Sequence, residues 1–128
     1  MSMWSEILDH AKAHHAIRNE TERGFRLTWS HPNGRTQLIQ VRRVRAFDAD
    51  WLELKSPVCH AHEMDPTEAL KKNNDLAVGA LAIEGTYMVV VHNVQLDGLT
   101  VPSFDASLAL IAALADSLEL EFTGGDDF

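Results

Sequence analysis

Hydrophobic residues near the start of the chain recur with the spacing of an α-helix. They fall at every third or fourth position: Trp4, Ile7, Leu8, Ala11 and His15. This spacing places them on one side of a helix, and Ser2 or Ser5 can cap its first turn. The pattern predicts an amphipathic helix over residues 3–16, whose apolar side needs a sheet to cover.

The hydrophobic period then changes from helical to alternating. Phe25, Leu27 and Trp29 alternate with polar residues, which is typical of a half-buried β-strand. The sequence His-Pro-Asn-Gly at residues 31–34 favours a hairpin turn. A second strand is predicted over residues 36–47, with a bulge or a change of buried face around its arginine pair.

Four further elements follow before the last helix. A third strand over residues 51–56 is predicted to end at Pro57, because proline cannot donate to a sheet ladder. Asp65 starts an Asp-Pro-Thr-Glu sequence, in which a helix cap precedes proline at the first helical position, so a short helix is predicted after it. Strands are then predicted over residues 77–83 and 87–94. The second of them is apolar on both sides and is predicted to be the central strand.

The last predicted helix is capped by Ser103 and runs to about residue 120. Its apolar face is wider than one sheet requires: Phe104, Leu108, Leu110, Ile111, Leu114, Ala115, Leu118 and Phe122. This excess predicts a homodimer, because apolar surface left over after folding usually meets a partner. The predicted interface consists of Tyr87, Val89, Val91, Leu110, Leu114 and Leu118. The alternative is that the helix belongs entirely to the core of one chain.

The element order α-β-β-β-α-β-β-α predicts an α+β fold, an antiparallel sheet with packed helices. A length of 128 residues, 45% of them hydrophobic, fits one domain over residues 1–122 and an acidic flexible tail over residues 123–128. The single cysteine, Cys59, excludes an intrachain disulfide. No secretory signal and no membrane span are predicted, so the expected location is cytoplasmic.

Charge is unevenly distributed along the chain. Eleven Lys and Arg against nineteen Asp and Glu give a net charge of −8, which disfavours general binding to nucleic acid or anionic lipid. Residues 1–72 carry 11 − 10 = +1, whereas residues 73–128 carry 0 − 9 = −9. The acidic part can serve solubility or can steer a basic partner.

Four segments carry a family resemblance: EALKKNN at residues 68–74, AVGALAI at 77–83, MVVV at 88–91 and LDGL at 96–99. With the element order, they resemble the bacterial sensory-transduction-regulator (YbjN-like) family, whose fold is that of type III secretion chaperones. The resemblance implies a small, acidic, cytosolic homodimer that binds a protein segment and has no catalytic residues. For secretion chaperones it further implies that an extended stretch of a secreted effector wraps around the dimer.

The predicted function is a non-enzymatic protein-binding module, an adaptor or chaperone-like protein without a cofactor. It would hold an extended segment of a partner polypeptide along a strand edge and in side-chain pockets. Trp4, Phe25 and Trp29 are the candidate partner-binding residues, because aromatic rings offer large contact area at little entropic cost. The alternative is that these three rings belong to the core. A small regulatory or ligand-binding protein, with a cleft beside the 87–94 strand, and an uncharacterised enzyme are the other functions considered.

Histidines and the cysteine are the remaining chemical candidates. Potential zinc ligands lie within five residues: Cys59, His60, His62 and Glu63. His10 and His14 have the spacing of a metal pair on a helix, but no metal is predicted, because structural zinc normally shows two ligand pairs. Cys59 lacks a positioned base. His15 and His92 are either general bases or, as the alternative, buried neutral groups.

The one basic cluster consists of Arg42, Arg43 and Arg45. An RNA-binding sheet would need aromatic rings among such arginines, and three lie near in sequence: Trp29, Phe47 and Trp51. The net charge opposes this function, so no nucleic-acid partner is predicted. The alternative is a salt-bridged, solvated strand face.

Overall fold

The computed structural model describes residues 2–123. The helices are α1 (Met3–His14), α2 (Pro66–Asp75) and α3 (Val101–Thr123). The strands are β1 (Ala16–Arg18), β2 (Gly24–Ser30), β3 (Thr36–Ala46), β4 (Ala49–His60), β5 (Ala80–Glu84) and β6 (Tyr87–Gln95). A 3₁₀ turn, Ala61–Glu63, leads from β4 towards α2.

All six strands form one antiparallel sheet in the order β1-β2-β3-β4-β6-β5. The predicted α+β class is confirmed, with one short strand, β1, added directly after α1, where the sequence predicted no strand. The predicted central strand was misplaced: β6 lies second from an edge, and β3 and β4 occupy the middle of the sheet. A central position in the sheet is therefore not the reason why β6 has apolar residues on both sides.

Helix starts follow local side-chain chemistry. Asp65 caps α2 by accepting a hydrogen bond from the Thr67 amide at 2.9 Å, as the sequence predicted. The predicted cap of α3 was wrong. The Thr100 hydroxyl accepts the hydrogen bond from the Ser103 amide at 3.2 Å, so α3 starts two residues before Ser103.

The predicted end of the third strand was also wrong, because β4 continues through Pro57. The register between β4 and β6 shifts between Pro57 and Cys59, and bulges are where a sheet accommodates proline. The carbonyl of Pro57 accepts a hydrogen bond from the buried Gln37 side chain at 2.9 Å. No register shift occurs at Arg42 or Arg43, where a bulge was one of the expectations.

One face of the sheet supports the hydrophobic core. Helix α3 packs on β3, β4 and β6, and α1 packs on α3. Along each strand, residues that face the core alternate with residues that face the other side, as the period of two requires. The core-facing residues are Phe25, Leu27, Ile39, Val41, Leu52, Leu54, Met88 and Val90. The opposite face of the sheet has no helix on it among residues 2–123.

Helix α3 is longer than predicted and ends at Thr123, the only residue of the predicted acidic tail that is described. Among residues 2–123 it is the one helix long and apolar enough, by length and composition, to cross a bilayer, with a mean hydropathy of 1.4. Its inner side chains, Phe104, Leu108 and Leu118, are buried in the core.

Gly24 lets β2 approach β3 closely. A Cβ atom at this position would meet the Val41 carbonyl oxygen and would lie 3.1 Å from the Arg42 Cα. Gly24→Ala should therefore lower the free energy of unfolding by about 2 kcal/mol or more, since backbone must move. Gly34→Ala is the control for backbone strain alone. Nothing lies near a Cβ there, but the φ of 86° would strain an alanine. Equal urea midpoints for the two variants would contradict the prediction.

Candidate partner-binding surfaces

Two of the three predicted partner-binding aromatics lie inside the core. Trp4 is 7% exposed and Phe25 is 2% exposed, and their ring centroids are 5.8 Å apart. The Arg43 guanidinium lies 5.5 Å from the Trp4 ring on its outer side. In this conformation neither ring is available to a partner.

Trp29 lies at the margin of the core and is half-buried. It stacks on His15, the residue that follows α1, with ring centroids 5.7 Å apart. Both rings line a cleft of about 440 Å³, together with the start of β1 at Ala16. Burial lowers the pKa of His15, against a smaller upward effect of Asp105, so the imidazole is neutral near pH 7. Trp29 is thus the predicted aromatic that a partner can reach.

Strand β1 forms one edge of the sheet. It pairs with β2 on one side, from Ala16 opposite Thr28 to Arg18 opposite Arg26. Within residues 2–123 no strand pairs with its other side. An edge of this kind can accept the main chain of an added strand. The edge begins beside the Trp29 cleft, because Ala16 belongs to both.

Strand β5, at the other edge, is blocked by a side chain. The Leu81 amide donates to Asn73 Oδ1 at 2.6 Å, and Asn73 Nδ2 donates to the Leu81 carbonyl at 3.1 Å. The Asn73 amide group therefore satisfies the backbone of Leu81, within this edge strand, as a neighbouring strand would. This protection leaves β1 as the open edge of the described sheet.

The face of the sheet opposite α1 and α3 is named here the open face. Its cross-strand register forms two rows. In one row three of the six residues are charged: Arg18, Arg26, Gln40, Lys55, Val91 and Ala80. The other is mainly apolar: Ala16, Thr28, Leu38, Pro57, Val89 and Ala82. A groove of about 330 Å³ lies on this face and is lined by members of both rows and by Tyr87.

The predicted dimer interface falls on two separate faces. Tyr87, Val89 and Val91 occupy alternate positions of β6, opposite in direction to the core residue Val90, and so lie on the open face. The three leucines lie on α3, on the other side of the sheet. Of these, Leu110 and Leu114 are half-buried, whereas Leu118 is 2% exposed and belongs to the core. One flat contact cannot bury all six residues.

Sequence analysis missed three exposed apolar side chains, on α2, on β5 and in the loop between them. Leu70 is 70% exposed, Ile83 is 55% exposed and Val78 is 40% exposed. Gly79, next to Val78, lies close to α3, because a Cβ there would come within 2.9 Å of the Leu114 side chain. The signal available in the sequence was Leu70, the one large apolar residue of α2.

Cys59 and the nearby histidines do not form a reactive site. Cys59 is buried, and burial, with smaller effects of Glu63 and Glu119, raises the pKa of its thiol. A raised pKa disfavours the thiolate that a nucleophile requires. His60 and His62 stack with ring centroids 5.7 Å apart. Among residues 2–123 no three His, Cys, Asp or Glu side chains come together as a possible metal site.

The other histidines have structural surroundings. His10 Nε2 lies 2.8 Å from an Asp105 carboxylate oxygen, which joins α1 to α3, and the His14 ring stacks on His10 at 4.5 Å. His92 is half-buried in β6, and burial lowers the pKa of its imidazole. His92 is therefore neutral near pH 7.

The basic cluster is largely paired. Arg42 lies 3.2 Å from Glu53, and Arg45 lies 3.3 Å from Asp50. The three aromatic residues of the RNA-binding alternative do not come together: the Trp51 indole donates to the Ala46 carbonyl at 2.9 Å, Trp29 lies beside α1, and Phe47 is 96% exposed in the turn after β3. These contacts favour the salt-bridged strand face over an RNA-binding sheet.

No family model matches the chain, and no curated protein matches it. Among solved structures, the chain is similar to a chain in the structure of the HopA1–SchA chaperone–effector complex. The TM-score is 0.63 at 10% sequence identity, over 91% of this chain and 93% of that chain. An identity this low shows the fold alone, so the predicted chaperone-like fold is confirmed. Membership of the sensory-transduction-regulator family stays a prediction.

Asn73→Ala tests the blocked edge. Loss of both amide hydrogen bonds leaves the Leu81 backbone groups without partners, which should lower the free energy of unfolding by about 1–3 kcal/mol. The amide proton of Leu81 should also exchange faster with solvent. Asn74→Ala is the control, since Asn74 is an exposed neighbour on the same helix. Unchanged exchange at Leu81 would refute the prediction.

Proposed function

We propose that this protein is a non-enzymatic, homodimeric, cytoplasmic adaptor of chaperone-like type, which holds an extended segment of a partner polypeptide. The observation that carries the proposal is the open edge of β1 beside the Trp29 cleft. The partner's main chain adds to β1, and an apolar side chain of the partner fills the cleft against Trp29 and His15. The likeness to a chain of a chaperone–effector complex supports this function, and a shared fold does not by itself decide it.

The asymmetry between the two sheet edges supports β1 as the binding edge. At β5, a partner strand would have to displace both hydrogen bonds of Asn73. At β1, no described residue forms a backbone hydrogen bond to the outer side of the strand. Addition at β1 therefore gains main-chain hydrogen bonds without losing internal ones.

The homodimer of this proposal forms through the exposed apolar side chains of α2, of β5 and of the loop between them. Leu70, Val78 and Ile83 would lie at its centre, and Leu110 and Leu114 of the originally predicted interface would extend it. Large exposed apolar side chains on one side of a small protein favour association. This arrangement leaves β1, at the far edge of the sheet, free for a partner.

A small regulatory or ligand-binding protein is the second candidate. The groove of about 330 Å³ beside β6 favours it, since its lining combines apolar side chains with Lys55 and Arg26. A ligand there would bind to the open face and would leave β1 unpaired.

Ile83→Asp tests the dimer. A charge at this exposed position should convert the dimer to a folded monomer, because a buried carboxylate without a partner is costly. Leu114→Asp should also split the dimer, with some loss of stability, since Leu114 packs against the core. Leu120→Asp is the matched control on an exposed part of α3. A single monomeric species of the unmodified protein in light scattering would overturn the dimer.

Trp29→Ala tests the binding site. Affinity capture from a native cytosolic extract should recover a stoichiometric polypeptide with the unmodified protein. Trp29→Ala should reduce recovery about tenfold, as expected when a central aromatic contact is lost. Leu120→Ala, which removes an exposed apolar side chain elsewhere, should not. Thermal unfolding of both variants controls for loss of folding. Recovery of a small molecule alone would favour the second candidate.

A further inference from the structure

Two arginines lie opposite each other at the open edge of the sheet. Arg18 of β1 is the cross-strand neighbour of Arg26 of β2, and both are exposed. Within residues 2–123 neither guanidinium has a carboxylate at ion-pair distance. Like charges in directly opposed positions destabilise a strand pair. The fold therefore holds a repulsion that an added carboxylate would relieve.

The basic surface continues across the open face as one path. A cleft of about 340 Å³ is lined by Arg23, Arg26, Gln40 and Arg42, among others. It shares Arg26 and Gln40 with the groove of about 330 Å³ beside β6. Near the turn between β3 and β4 it adjoins a cleft of about 550 Å³, in which Arg43 lies on the helix side of the sheet beside Trp4. The path is thus apolar at one end and basic at the other.

The charge of this path is opposite in sign to that of the chain. The two clefts on this face are lined by four cations: Arg23, Arg26, Arg42 and Lys55. Their lining has one acid, Glu84, so the local charge is 4 − 1 = +3, whereas the chain carries −8. Counting Glu53, which pairs with Arg42 and Lys55, leaves +2. Arginine is also the side chain best suited to paired hydrogen bonds with carboxylates.

We propose that the open face binds an acidic stretch of the partner polypeptide, next to apolar residues of the same segment. This inference rests on the proposed function and names the chemistry of the partner. Carboxylates bridge Arg18 and Arg26 and extend towards Arg23. Apolar side chains of the segment lie on Leu38, Pro57 and Tyr87, which line the groove beside β6.

The path fits an extended segment of moderate length. From β1 to β6 across the open face is four strand spacings, which corresponds to about 19 Å. A segment of about six residues spans it. The acidic end lies over the arginines, and the apolar end lies near Tyr87 and Val89.

A polypeptide fits this surface better than a nucleic acid does. Of the three aromatic residues near the arginines, Phe47 is 96% exposed in the turn after β3, Trp51 is half-buried and Trp29 lies beside α1. The three rings therefore do not form the row of exposed rings on which successive bases of single-stranded RNA stack. The apolar row offers contacts for side chains instead. The surrounding negative charge repels a long polyanion more than a short acidic peptide.

The test uses two fluorescein-labelled peptides. One has four acidic residues followed by two Val-Ser pairs, and the other has the same residues in reversed order. A third peptide has Asn and Gln in place of the acids. Fluorescence anisotropy at low salt should give at least tenfold tighter binding of one acidic peptide than of the neutral one. Arg18→Gln and Arg26→Gln should each weaken binding about fivefold, as loss of a charged contact predicts. Lys71→Gln is the control, an exposed cation on α2.

Thermal unfolding of the free protein gives an independent readout. Because Arg18 and Arg26 repel each other, Arg26→Gln should raise Tm by about 1–3 °C while it weakens binding. A purely structural arginine would lower Tm on replacement. A lowered Tm for Arg26→Gln would therefore overturn the proposal.

Three other results would also overturn it. The first is equal binding of the acidic and neutral peptides. The second is binding of an eight-nucleotide oligouridine that is tighter than that of the acidic peptide and depends equally on the two arginines. The third is a change of oligomeric state in Arg26→Gln, which would identify a second copy of the chain as the occupant. The two proposals fail separately. If Arg18→Gln/Arg26→Gln protein still captures the cellular polypeptide, partner binding stands and acid recognition fails. If no polypeptide is captured while the acidic peptide binds as stated, partner binding as proposed fails.

Discussion

The backbone groups at the two edges of the sheet determine what this molecule can bind. An antiparallel sheet ends in unpaired N–H and C=O groups, and a soluble protein must cover them or use them. Here one edge is covered by a single side chain, because the Asn73 amide donates to and accepts from Leu81. The other edge, β1, has no such cover within residues 2–123. The position of the proposed partner strand follows from this difference.

The two faces of the sheet divide the remaining tasks. One face packs against α1 and α3 and forms the core. The open face carries a charged row beside an apolar row, a combination that stays soluble when empty and still offers side-chain contacts. The cationic residues are thus concentrated on the surface proposed to bind, while the acidic residues of the second half of the chain keep the rest of the surface negative. Such a division favours a partner that carries both acids and apolar residues.

The sequence predicts the elements better than it predicts their use. The Asp65 cap and the alternation from Phe25 to Trp29 are local signals, and both led to the observed elements. Strand β1 was missed because three residues are too few to show a period. Trp4 lies on the apolar side of its helix and Trp29 on the apolar side of its strand, so the local patterns do not distinguish them. The packing of α1 over β2 buries Trp4 and leaves Trp29 at the margin of the core. The Asn73 contact and the Arg18–Arg26 pair depend on tertiary register, which no spacing along the chain reveals.

Hydrogen exchange of the β1 amides, with and without the captured partner, tests the central claim most directly. A strand added at the open edge should slow exchange at residues 16–18 by about tenfold or more, as new main-chain hydrogen bonds protect the amides. Exchange at residues 80–84, behind the Asn73 contact, should stay the same. Protection at residues 80–84 without protection at residues 16–18 would contradict the account.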